Sequence, residues 1–252
     1  KDFPEYDFIY LGDNARTPYG TRSFDVVYEY TLQAVKKLFD LGCYLVILAC
    51  NTASAKALRN IQQLDLPKIA PDRRVLGVIR PSVEKVAEIT RNGHVGVLGT
   101  NGTVASESYP IELAKWSNGK VVKTVQEACP MWVPIVENNE IDTLGAEYFI
   151  EKNIQNLLRQ DEKLDTVILG CTHYPLLINQ IKKYLASGMQ ILEQGKIVSE
   201  SLKNYLLRHP EMEKKCSKNK QIVYYTTENV KNFEQKAGFF LGENVSARQI
   251  HF

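Results

Sequence analysis

The chain has 252 residues, enough to bury roughly three quarters of the surface its unfolded form exposes, as one large domain or two small ones. Its composition is ordinary, 44% hydrophobic and 24% charged with 15 Gly and 10 Pro, which excludes disordered, collagen-like and disulfide-dense classes. A formal net charge of +2 supplies no field that would gather nucleic acid, and no nucleic-acid partner is expected.

Taken in chain order, short runs rich in Val and Ile predict strands at FIYLG (8–12), YLVILA (44–49), RVLGVI (74–79), HVGVLG (94–99), KVVKTV (120–125), DTVILG (165–170), MQILE (189–193) and QIVYYT (221–226). Most are followed by a stretch with helical spacing. Val26, Val27, Tyr30, Ala34 and Leu38 repeat at three and four, as do Val83, Val86 and Ala87, while Pro81 and Pro175 sit where a first helical turn tolerates proline. Strand alternating with helix is the mark of an α/β protein with mostly parallel, open sheets. Runs apolar on both sides, Leu45 to Ala49 and Val167 to Gly170, suit central strands covered by helices on both faces. The segment from Met131 to Leu158 reads as a less regular, mostly helical connection, and EMEKKCSKNK (211–220) as a solvated linker. The longest apolar run, CYLVILAC, is broken by Asn51 and falls short of the roughly 20 apolar residues of a membrane span, and KDFPEYD is no signal peptide, so no membrane partner is expected.

Cys43, Cys50, Cys129, Cys171 and Cys216 are an odd number with no C-x-x-C pair, which argues against a disulfide framework and a zinc ribbon and fits a reducing cytoplasm. Cys43 and Cys129 read as buried and Cys216 as exposed. Cys50 and Cys171 stand apart, because VILACNTASA (46–55) and VILGCTHYPL (167–176) each run a strand into a cysteine and a hydroxyl-bearing turn. Asn51, Thr52 and Ser54 after the first, and Thr172 after the second, are helix-capping types. A helix start offers free N–H groups and partial positive charge, which lower a thiol's pKa and hold a carboxylate in the same volume. One cysteine alone would read as a small buried hydrophobe. A Cys171–His173 hydrolase would leave Cys50 without a task, whereas inversion of a stereocentre needs one acid–base group on each face. Repetition of the motif suggests an internal duplication, with a cleft at the carboxyl ends of two sheets.

Together VILACNTASA and VILGCTHYPLL resemble the two cysteine signatures of the cofactor-independent aspartate/glutamate racemase family, with the likeness running to its glutamate-specific branch. LGDNARTPYG (11–20) looks like that family's substrate loop, GTNGTVAS (99–106) like its T-x-x-T turn, ACPMWVPIVE (128–137) like its hinge segment and YYTT (224–227) like the start of its last sheet segment. The resemblance implies two pseudo-symmetric open-sheet α/β domains facing each other across a cleft: residues 1–80 plus 195–252 carrying Cys50, and 81–194 carrying Cys171. It implies glutamate as the small-molecule substrate and neither pyridoxal phosphate nor metal. Cys50 would take the α-proton of D-glutamate and Cys171 that of L-glutamate, with His173 assisting Cys171. Asn51, Thr52 and Thr172 would hold the α-amino and α-carboxylate groups. The turn formed with Pro18 would let Tyr19 and Gly20 offer backbone N–H groups to the distal carboxylate, with Thr100 and Thr103 as further contacts. The implied role is supply of D-glutamate for peptidoglycan, with domain closure excluding water during turnover. A homodimer is compatible with the resemblance, although no sequence feature specifies one.

Departures accompany the likeness. The family usually opens on a strand and an Asp-Ser loop that supports the first cysteine, and nothing here matches it; the absent Met and abrupt start fit a segment upstream of Lys1. Arg80 in GVIRP stands where an acidic residue is common, and LEQGK (192–196) where an Asp-Ser pair is usual. Aspartate racemase, one methylene away in substrate, and a non-catalytic amino-acid-binding protein stay open as alternatives on sequence alone.

Overall fold

The computed structural model describes residues 2–252. Among the described residues nine strands form, β1 (Phe8–Gly12), β2 (Leu45–Leu48), β3 (Arg74–Gly77), β4 (His94–Gly99), β5 (Lys123–Ala128), β6 (Thr166–Gly170), β7 (Gln190–Leu192), β8 (Ile222–Thr226) and β9 (Ala247–Gln249). Every pairing among them is parallel. They make three sheets: β1-β8-β9, built from the two chain ends; β2-β3; and β5-β4-β6-β7, from the middle of the chain. This is the open-sheet α/β class that the alternating pattern predicts.

The middle sheet shows why its strands read as continuous apolar runs. On β4 and β6, Leu98, Val167 and Leu169 face one side and pack with Trp132, Ile150, Ile154 and Leu157, while Val95, Val97 and Ile168 face the other with Val83, Val86, Tyr109 and Leu113. A strand buried on both faces has no polar side to show, so the two-residue alternation vanishes from the sequence. Gly96 permits one of these contacts: a Cβ there would stand 2.8 Å from Leu157 Cδ2, so the bare backbone lets the Leu144–Gln160 helix settle onto the sheet. The smaller core around Val35, Phe39, Val46, Ile61 and Val75 packs the Phe24–Asp40 helix against β2-β3. That helix starts where Ser23 accepts a hydrogen bond from the Val26 amide, as a side-chain cap should.

Several boundaries differ from expectation. KVVKTV begins too early: β5 starts at Lys123 because pairing with β4 opposes Lys123 to His94, and Val122 is left exposed beyond the turn at Asn118 and Gly119. RVLGVI ends at Gly77, and Val78 turns out of the strand to open the Ile79–Ile89 helix. The short β9, Ala-Arg-Gln, has no run of Val and Ile to mark it in the sequence. EMEKKCSKNK is not all linker, since Pro210–Glu213 is helical and Met212 is buried. Cys43 and Cys216 are both half-buried rather than buried and exposed, while Cys129 is buried as expected. No helix among the described residues is long and apolar enough to cross a membrane.

Candidate active site

The first cysteine turn follows β2 directly. Cys50 itself is the N-cap of the Asn51–Lys56 helix, with extended backbone (φ −86°, ψ 126°), and no side chain caps it. The capping types noticed in the sequence are engaged elsewhere. Asn51 Nδ2 donates to Gln194 Oε1 at 2.6 Å, Ser54 Oγ donates to the Leu48 carbonyl at 2.9 Å, and Thr52 joins a cluster of hydroxyls. The opening amides therefore remain for the sulfur: burial pushes the Cys50 thiol up, and the Ala53 and Thr52 N–H groups with the Thr52 hydroxyl pull it partly back.

The second turn follows β6 in the same way. After Gly170 come Cys171, Thr172 and His173, then a 3₁₀ turn at Tyr174–Leu177 with Pro175 near its start and a helix from Ile178. Burial pushes the Cys171 thiol up to about 12; the His173 and Thr172 amides oppose this, and the charge of a Cys50 thiolate adds to it. The expectation that helix starts would lower both thiols is thus corrected. The local N–H groups act in the expected direction, but loss of hydration outweighs them.

His173 leans on Cys171 and is itself held. Its Nδ1 lies 3.8 Å from Cys171 Sγ, and its Nε2 lies 2.7 Å from Glu137 Oε1. The other Glu137 oxygen accepts from Lys236 Nζ at 2.7 Å, across from the Val230–Leu241 helix. These two partners, His173 first, hold the Glu137 carboxyl at about 2, below its ordinary 4.5. An ionised carboxylate only accepts, so Nε2 carries a proton and, in the neutral ring, Nδ1 presents its lone pair to the thiol.

This makes Glu137 testable on two axes. Glu137→Gln is expected to lower kcat by about 10², the low end of what a positioned acid–base arrangement contributes. A carboxyl whose pKa is depressed on folding stabilises the fold fully above its ordinary value and loses that contribution as pH falls through the folded value. The difference in denaturant midpoint between wild type and Glu137→Gln should therefore be level above pH 4.5 and shrink as pH falls toward 2.

A third group of residues converges from separate segments. The hydroxyls of Thr52, Thr100 and Thr103 form a triangle with sides of 2.9, 3.3 and 3.1 Å. Gly20 brings the TPYG turn onto it: its carbonyl accepts from the Gly102 amide at 2.7 Å, and a Cβ at Gly20 would stand 2.8 Å from Thr100 Cβ. Gly20→Ala must lift this turn away from Thr100, and is expected to cost up to roughly 10² in kcat/KM for substrate with little change in melting temperature. Tyr19 turns its hydroxyl to Asp13, so the backbone is what it can offer a ligand. Pro18 and Thr172 are exposed, and their side chains join none of these clusters.

Sequence reasoning misses four residues of these clusters: Glu137, Lys236, Tyr109 and Gln194. Glu137 ends the segment ACPMWVPIVE, where its acidity is the available signal, and Gln194 lies in LEQGK, which departs from the family's usual Asp-Ser pair. Tyr109 carried no signal at all; its hydroxyl donates to Asn51 Oδ1 at 2.8 Å.

Matched cysteine turns at the ends of parallel strands, one backed by a His–Glu pair, define an α/β protein that presents two thiols in equivalent settings. Comparison with known proteins narrows the class. Residues 1–200 match the family described as Asp/Glu/hydantoin racemase. The chain is 38% identical over 256 residues to the glutamate racemase of Ruegeria sp. strain TM1040, covering 98% of this chain and 91% of that one. Among solved structures it is similar to glutamate racemase isoform RacE1 from Bacillus anthracis (TM-score 0.87, 31% identity, 99% of this chain and 90% of that one). It is also similar to glutamate racemase from Francisella tularensis in complex with D-glutamate (TM-score 0.85, 27% identity, 99% and 89%). The chain belongs to the Asp/Glu/hydantoin racemase family, and is an isomerase of that family.

Proposed function

We propose that this protein interconverts L- and D-glutamate by two-base proton transfer between Cys50 and Cys171. The observation that carries the reading is the pair of equivalent turns at the ends of β2 and β6, each placing a thiol near backbone N–H groups that favour its ionised form. Full-length relatives that are glutamate racemases support the choice of substrate. In this reading residues 1–80 with 195–252 form the half that carries Cys50, and 81–194 the half that carries Cys171.

The working state holds one thiolate and one thiol, because each negative sulfur disfavours ionisation of the other. Substrate brings its own cation: an α-ammonium beside a thiol in a dry cleft favours the thiolate that resting burial disfavours. With L-glutamate, the Cys171 thiolate takes the α-proton and the Cys50 thiol delivers its proton to the opposite face. The sulfurs finish with their protonation states exchanged, and the reverse transfer converts D-glutamate. His173, aligned by Glu137, accepts from and returns a proton to Cys171. Asn51, Thr52 and Thr172 hold the amino-acid head, and Tyr19, Gly20, Thr100 and Thr103 the distal carboxylate, with N–H and O–H donors fixed before charge develops on the α-carbon. The product D-glutamate would serve peptidoglycan synthesis in the cytoplasm.

The test is direct: purified protein is mixed with L-glutamate, without added cofactor, and the circular dichroism of the amino acid is followed. The signal should decay to zero, and L-aspartate under the same conditions should lose its signal far more slowly. A constant glutamate signal would refute the assignment.

A further inference from the structure

Beneath the first cysteine turn lies a buried knot of polar side chains drawn from four helix starts. Gln194 and Asn51 are each the first residue of a helix, Val78 and Ser82 flank the start of Ile79–Ile89, and Tyr109 lies in the first turn of Ser108–Trp116. All four side chains that bond here, Asn51, Ser82, Tyr109 and Gln194, are buried.

The bonds run in one order. Ser82 Oγ donates its hydrogen to the Val78 carbonyl at 2.9 Å, so Gln194 meets two acceptors there, Ser82 Oγ at 2.8 Å and the Val78 oxygen at 3.1 Å. Only the Nε2 end of Gln194 can face them. Its Oε1 is thereby turned to Asn51 and accepts from Nδ2 at 2.6 Å. Asn51 Oδ1 must then take the Tyr109 hydroxyl at 2.8 Å, and the Tyr109 oxygen lies 2.9 Å from Gln194 Nε2, whose two hydrogens are shared among three acceptors. A backbone carbonyl cannot exchange donor for acceptor, so the orientation set at Val78 passes through Gln194 to Asn51. An amide has two N–H groups, and Gln194 takes one of those on Asn51.

We propose that Gln194 is a positioning residue for substrate binding, holding the Asn51 carboxamide so that its remaining N–H, and not its carbonyl oxygen, is available to the substrate carboxylate next to Cys50. This rests on the glutamate racemase reading. Without Gln194 the carboxamide of Asn51 can turn over, and in the reversed state an oxygen confronts a negatively charged group.

The experiment is a double-mutant cycle on glutamate turnover with Gln194→Met, which keeps side-chain length and removes every polar contact, and Asn51→Ala. Gln194→Met is expected to raise KM for both enantiomers about tenfold, with a smaller change in kcat. On the Asn51→Ala background it should change KM no further, because the group it positions is gone. A purely structural role would instead multiply the two effects. Tyr109→Phe removes one hydroxyl only and serves if Gln194→Met does not fold; it should raise KM in the same way and be equally silent with Asn51→Ala. Wild-type KM in the single variants, or multiplied effects in the double variant, overturns the proposal while leaving the functional reading intact. Absence of glutamate racemisation by the wild type overturns both.

Discussion

Cys50→Ser and Cys171→Ser are each expected to lower glutamate racemisation by at least about 10³, within the range that a positioned acid–base group supplies. Serine is close in size, but its hydroxyl is far less acidic than a thiol and cannot reach the ionised state that proton abstraction needs. Each replacement must slow both directions together. Enantiomers have equal free energy, so kcat/KM for L-glutamate equals that for D-glutamate, and removal of either base lowers both by one factor. The folded state should persist: the Thr172 and His173 amides near Cys171, and those of Thr52 and Ala53 near Cys50, can donate to a hydroxyl oxygen. Progress curves from both enantiomers, taken with melting temperatures, check this. A serine variant that keeps turnover in one direction, or in both, would remove its cysteine from the mechanism.

The second large effect is on stability. Trp132→Ala is expected to cost about 3–5 kcal/mol, the range for deleting a large aromatic side chain from a packed core. Trp132 is wholly buried at the first position of the Trp132–Glu137 helix, with its ring 4.8 Å from that of Tyr174 in an edge-on arrangement. Tyr174 begins the turn that follows Cys171 and His173, and its hydroxyl donates to the Cys129 carbonyl at 3.1 Å. Glu137 closes the helix that Trp132 opens. A cavity at position 132 therefore loosens both the carboxylate that holds His173 and the turn that carries it. Denaturant unfolding should show the loss in stability, and activity should fall at temperatures where the variant is still folded.

The alternation of apolar runs with helical spacing revealed the parallel α/β class because β4 and β6 are buried on both faces, leaving uninterrupted Val, Ile and Leu. The repeated cysteine turns were legible because each occupies one contiguous stretch. What the sequence hid is what long-range packing decides. Gln194 reaches Asn51, and Tyr109 reaches both, only through the meeting of helix starts that are far apart in the chain. The apolar Val121 and Val122 extend the apparent start of β5, whereas pairing with His94 fixes it at Lys123. Thiol acidity failed for a related reason: N–H groups at a turn can be inferred from neighbours in sequence, but the burial that outweighs them belongs to the folded whole.

The most direct measurement is of isotope in the first few per cent of conversion, with L-glutamate and the wild-type protein in heavy water. Two bases on opposite faces predict that the D-glutamate formed carries deuterium at the α-carbon while the remaining L-glutamate keeps its original hydrogen. Product that retains the substrate's own hydrogen, or deuterium entering the L-glutamate pool as fast as the product, would contradict a reaction divided between Cys50 and Cys171.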